Sequence, residues 1–240
     1  MRRVPMTLPV ALVPVLEVAP WQFSERERPP GPAREHRQAW HDYFVACLRD
    51  AGMTGVEPIQ PGSFFVRAPA LLHHPLLAHL VRGCLTESGI PGFPDGDGSQ
   101  EETPDERVAA LDGGYALFSD ATLVLEPGCC GDLGNLAEWE GALAARAPEA
   151  NIWIGHPQLQ AQFGPASLVL RQGWDDPPAP DYLVETELPI AWLADAIAGA
   201  RSSFATFAAG LLAVVGEIVL DRALARAVRD ALIRYPGAGA

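Results

Sequence analysis

A chain of 240 residues with 48% apolar side chains can bury a sizeable core, and its formal charge of −13 sets it against polyanionic partners. Nucleic acid and anionic membrane surfaces both demand clustered positive charge, so neither is an expected partner. All 17 basic side chains are arginine, which removes every mechanism built on a Walker A, Schiff-base or kinase-type lysine.

Arg2 and Arg3 before the apolar run 4–16 outline a signal peptide, but Pro5, Pro9 and Pro14 interrupt it, Glu17 follows, and there is no A-x-A site. A strand over 9–18 is expected instead. The period from 33 to 51 is helical, with His36, Trp40, Tyr43, Phe44, Cys47 and Leu48 on one face and Gly52 placed to end it. A short strand is expected over 64–67. Pro75 then stands at a first helical position, followed by Leu76, Leu77, Leu80, Val81, Cys84 and Leu85 at helical spacing. His73, His74 and His79 lie around this start. Their spacing favours a helix-start role over a metal cluster.

Residues 89–106 form an acidic loop. Asp95, Asp97, Ser99, Glu101, Thr103 and Glu106 fall on the spacing of a calcium loop, but Gln100 occupies the position that needs glycine and Glu102 the one that needs an apolar residue. A solvated loop or a partner contact is the better reading. Strands are expected over 115–118 and 122–125 about a turn at Ser119-Asp120. After them come Gly128-Cys129-Cys130-Gly131-Asp132-Leu133 and a helix over 135–146, with Asn135 as its cap and Glu138 completing a capping box. Further strands are expected over 152–154, 158–163, 167–170 and 182–187. Trp174 and the acids Asp175 and Asp176 are placed in a loop. Pro189 opens a helical region over 189–235, broken at Gly210 or Gly216, with Leu220, Leu224, Ala227, Val228, Ala231 and Tyr235 as the apolar face of its last helix. The apolar run 202–216 is shorter than the roughly 20 residues that span a bilayer and reads as a core helix.

Strands in the middle and helices on the flanks predict an α+β fold: a central, mainly antiparallel sheet flanked by N-terminal and C-terminal helices, in a single domain over 1–240. Four cysteines in a chain of this length are no secreted disulfide framework, so a reducing, cytoplasmic setting is expected. Cys47 and Cys84 read as small core residues.

Three readings of Cys129 and Cys130 stand side by side. One thiol, with His156 as base and Asp132 or Glu138 orienting that base, makes a nucleophile. The two thiols with His156 make a soft-metal site, against the absence of a C-x₂₋₄-C pair. Packed against Trp139, they make a structural corner, and this reading is preferred. No catalytic residue, metal site or cofactor is therefore assigned. The candidates for partner binding are Trp174, Asp175, Asp176, Asp95, Asp97, Glu101 and Glu102, an acidic and aromatic set suited to a basic protein surface.

The string Leu123-Val124-Leu125-Glu126-Pro127-Gly128-Cys129-Cys130-Gly131-Asp132-Leu133, then Trp139, then Ile152-Trp153-Ile154-Gly155-His156-Pro157, resembles a group of uncharacterised bacterial proteins with a CCGDL…W…WIGHP core. Some of that group are similar to immunity proteins of polymorphic toxin systems. The resemblance covers 115–170. It implies a cytosolic α+β domain that acts through protein contact. With the acidic charge, the expected function is a non-enzymatic, immunity-like interaction protein that masks its partner.

Overall fold

The computed structural model describes residues 4–5, 8–88, 107–174 and 181–234, with side chains described over 8–88, 107–173 and 184–234. The fold is α+β. Its strands are β1 (Val4–Pro5), β2 (Val10–Glu17), β3 (Phe65–Arg67), β4 (Gly113–Ser119), β5 (Thr122–Leu125), β6 (Glu149–Ile152), β7 (Leu159–Phe163), β8 (Ser167–Trp174) and β9 (Asp181–Pro189). The helices are α1 (Arg37–Asp50), α2 (Pro75–Glu87), α3 (Leu136–Ala145), α4 (Ile190–Ile218) and α5 (Arg222–Ile233). Two sheets form where one was expected. One has the order β1-β9-β8-β7-β6 and the other β3-β2-β4-β5. The pairs β2–β3, β4–β5, β6–β7, β7–β8 and β8–β9 are antiparallel, and β1 pairs with β9 in parallel, Val4 opposite Thr186.

The chain divides into two compact units, one made of Met1–Pro14, Asp112–Ala205 and Tyr235–Ala240, the other of Val15–Leu111 and Thr206–Arg234. In the first unit β4 and β5 form a hairpin in which Ser119 pairs with Thr122 and Asp120 takes the left-handed turn, φ 54°. Strands β6 to β9 form an antiparallel meander, from Ile152 opposite Leu159 to Ser167 opposite Pro189, with one register shift in the β8–β9 pairing between Gln172 and Gly173. Tyr115, Leu117, Leu136, Trp139, Leu159, Leu168, Leu170 and Leu193 are buried in this unit. Gln172 is buried too, and its Nε2 donates to the Glu126 carbonyl at 3.1 Å, steadying the segment that leaves β5.

In the second unit the end of β2 pairs with β3, Val15 opposite Arg67 and Glu17 opposite Phe65. The apolar face of α1 falls where its period places it: Trp40, Tyr43, Phe44, Cys47 and Leu48 are buried, while His36 is exposed at the N-cap. Trp40 meets Tyr43 and Phe64 edge-on, with ring centroids 5.6 and 5.5 Å apart, the arrangement aromatic quadrupoles favour. Burial pushes the Tyr43 phenol above its usual range, and the Cys47 thiol adds to the shift. The helix-start reading of the histidines holds at His74. It caps α2, accepting from Leu76 N at Nδ1 (3.1 Å), while its Nε2 lies 3.0 Å from the Thr54 carbonyl, so the proton sits on Nε2.

Four local expectations are corrected. Neither Gly210 nor Gly216 breaks α4, which runs unbroken for 29 residues. Gly210 is instead a close-approach site, since a Cβ there would lie 2.5 Å from Leu72 Cδ2. At that length α4 is also long and apolar enough to cross a membrane, a property it shares with core helices of soluble proteins. Leu220 lies before α5 and is 91% exposed, because Asp221 caps that helix through Leu224 N (2.8 Å) and sets the buried face on Ala225, Val228, Ala231 and Leu232. Trp174 is the last residue of β8, paired with Asp181, and not a loop residue. Finally, Asn135 makes no side-chain cap. The turn begins earlier, at Asp132, whose Oδ1 accepts from Gly134 N at 2.7 Å.

The carboxylate of Asp50, at the end of α1, takes Arg26 Nε at 2.6 Å, Arg26 Nη2 at 2.9 Å and Ser24 Oγ at 2.7 Å. These donors hold its pKa down at about 2. A carboxyl depressed in the folded state stabilises the protein above its ordinary range and loses that contribution as pH falls towards 2. Asp50→Asn is therefore expected to lower stability at neutral pH and to flatten the acid limb of the stability profile between about pH 4 and 2, read as urea midpoints against pH.

Candidate functional site

The vicinal cysteines sit at a corner made by two backbones that meet almost without side chains between them. Gly128 N donates to the Ile154 carbonyl at 2.8 Å and His156 N to the Cys129 carbonyl at 3.0 Å, which makes Cys129 and His156 an antiparallel bridge. No Cβ fits at the glycines of this crossing. One on Gly128 would lie 2.3 Å from the His156 carbonyl oxygen, and one on Gly155 would lie 2.3 Å from the Cys129 oxygen. Gly155 also holds φ 97°, a conformation that side chains resist. A third bond, Gly113 N to the Gly131 carbonyl at 2.9 Å, ties the far side of the loop to the start of β4.

The corner fixes the direction of the thiols. Cys130 adopts a left-handed φ of 65°, and both Cys129 and Cys130 are exposed, as is His156. Packing of the thiols against Trp139 is therefore not what the turn achieves, although Trp139 itself is fully buried on α3. The two Sγ atoms and a ring nitrogen of His156 lie within 4.8 Å of one another. Among the described residues this is the one group of three or more His, Cys, Asp or Glu side chains placed to hold a metal. The His156–Pro157 peptide is cis. The His156 ring stands edge-on to Trp153, with centroids 4.7 Å apart, and Trp153 is 36% exposed.

The sequence candidates separate on this geometry. Cys129, Cys130 and His156 converge. Asp132 does not join their cluster, because its carboxylate caps the turn at Gly134. Glu138 is exposed on the first turn of α3. A base-activated nucleophile needs its thiol on the imidazole. The Cys129 thiol instead donates to the main-chain oxygen of His156, at 3.8 Å. Asp95, Asp97, Glu101 and Glu102, with the rest of the calcium-like spacing, lie outside the described residues, as do Asp175 and Asp176. The side chain of Trp174 lies outside them too. Sequence reasoning missed Trp153 as a neighbour of His156 and Gly155 as a fixed point of the corner. The Trp-Ile-Gly-His spacing was the available signal for both.

No protein-family profile matches the chain, and no characterised protein or solved structure does either.

Replacing Gly155 tests the corner directly. Gly155→Ala adds a positive-φ penalty to a backbone clash, and is expected to cost about 3 kcal/mol in urea unfolding, with the thiols reacting faster and less distinguishably as the corner opens.

Proposed function

We propose that the protein binds a soft metal ion, Zn(II) or Cu(I), through Cys129, Cys130 and His156. The observation that carries this reading is the convergence of the three donor atoms within 4.8 Å. Zinc–sulfur and zinc–nitrogen bonds of about 2.3 and 2.0 Å place tetrahedral donors roughly 3.5–3.8 Å apart, so closure takes about an ångström of side-chain rotation. The backbone is already in position, held by the Gly128–Ile154 and His156–Cys129 hydrogen bonds. Little conformational entropy therefore remains to be lost on binding. Two thiolates and an imidazole are the donors that select such ions over magnesium or calcium.

Protein purified without an affinity tag is expected to carry close to one equivalent of zinc or copper by elemental analysis. Apo-protein is expected to give a sulfur-to-cobalt charge-transfer band on titration with Co(II). Cys129→Ser, Cys130→Ser and His156→Ala should each weaken that binding by an order of magnitude or more, with unchanged far-ultraviolet circular dichroism. Zinc should raise the Tm of the parent protein but not of the variants, since only a folded site gains from the ion. Absence of the band in the parent protein rejects the reading.

A second reading supports protein masking of the immunity-like kind, in a cytosolic setting. It rests on the charge of −13, on the exposed Trp153, and on the likeness of 115–170 to the CCGDL…WIGHP group. An adjacent toxin-like reading frame would supply the partner. Its product is expected to bind tightly and to lose affinity for Trp174→Ala or for a chain with Asp95, Asp97, Glu101 and Glu102 neutralised. Unchanged binding of both variants rejects that surface.

A further inference from the structure

Resting on the metal reading, we infer that the ion held by Cys129, Cys130 and His156 keeps a fourth, solvent-facing position, and that this position takes a thiolate from outside the chain. Three observations combine. The donor group contains three side chains, whereas zinc and its analogues close a tetrahedron with four. All three donors are exposed, so the missing vertex faces solvent and not a core that would have to be opened. The nearest carboxylate in sequence, Asp132, is committed to capping Gly134 at 2.7 Å.

The donor class follows from charge and softness. A divalent ion with two thiolates and a neutral imidazole is formally uncharged, so a third thiolate brings the centre only to −1. A soft centre prefers that sulfur to water oxygen. Trp153, 36% exposed and edge-on to His156, supplies an apolar flank against which the carbon atoms of an incoming thiol can rest. Two sources offer this chemistry, a cysteine side chain on another protein and a free small thiol. The chain's charge of −13 favours the uncharged one, since an anionic thiol approaches against the field. The exchange is simple substitution: the thiol gives its proton to buffer, its sulfur forms the fourth bond to the metal, and a bound water leaves.

The test uses the full chain loaded with one equivalent of Co(II). Two probes are added: N-acetylcysteine amide, an uncharged copy of a cysteine side chain in a peptide, and glutathione, which is anionic. Addition of the amide is expected to raise the sulfur-to-cobalt charge-transfer intensity by about half, from two sulfur donors to three, with cobalt still eluting with the protein on gel filtration. Glutathione is expected to bind several-fold more weakly at low salt and to approach the amide at high salt, as screening removes the repulsion. Equal or tighter glutathione binding at low salt would assign the position to a free small thiol. Trp153→Ala is expected to weaken amide binding while leaving the two-thiolate cobalt band in place. A two-thiolate band that forms but does not respond to saturating thiol overturns this inference and leaves the metal reading standing. Stripping of cobalt from the protein by the thiol overturns it as well. Failure of any band to form on Co(II) addition removes the metal reading, and this inference with it.

Discussion

The structure of the corner depends on one backbone crossing. The segment leaving β5 and the segment leaving β6 come together through the Gly128–Ile154 and His156–Cys129 hydrogen bonds, and the crossing closes only because Gly128 and Gly155 carry no Cβ. A paired backbone amide or carbonyl in a partly buried turn avoids a cost of one to a few kcal/mol, so two such bonds at adjacent positions are a strong local constraint. Everything distinctive about the corner follows from it. The thiols are pushed outward, His156 is brought beside them from another part of the sequence, and Trp153 is turned alongside His156.

That constraint also explains how the backbone comes to present exposed thiol and imidazole side chains. The strands on either side are held by antiparallel pairing, β5 to β4 and β6 to β7, and Gln172 on β8 anchors the Glu126 carbonyl just before the loop begins. On the far side Asp132 nucleates the turn that leads into α3, and Trp139 is buried within that helix. The exposed donors are thus carried on backbone pinned by the Gly128–Ile154, His156–Cys129 and Gly113–Gly131 hydrogen bonds. For the metal binding we propose, such a frame reduces the reorganisation that three side chains need to meet an ion.

Much of the architecture was legible as periodicity. The buried stripe of α1, the start of α2 at Pro75, the β4–β5 hairpin and the β7–β8–β9 strands all follow from apolar spacing and turn residues, because burial on one face imposes a period of 3.6 or 2. The errors arose where a local rule was overridden by contact. Glycine inside α4 suggested a break, but at Gly210 it serves close packing beside Leu72. Asn135 looked like a cap because its sequence context matches a capping box, yet Asp132 reached the turn first and extended it by a 3₁₀ segment. Leu220 looked like part of an apolar face until Asp221 fixed where α5 begins.

By itself the sequence determined the α+β class, the strongly acidic charge and the absence of lysine-based chemistry, and it offered Cys129, Cys130 and His156 as candidates without assigning them a site. These are properties of composition and of short-range pattern, and short-range pattern is what a linear chain displays. Only the tertiary structure decided that the three donors converge, that both thiols face solvent and do not pack on Trp139, and that Asp132 is spent on a turn. The physical reason is that Cys129 and His156 lie 27 positions apart and meet through a main-chain hydrogen bond, supported by the neighbouring Gly128–Ile154 bond. Those bonds involve groups every residue possesses, so they leave no mark on side-chain identity except the glycines that make room for them.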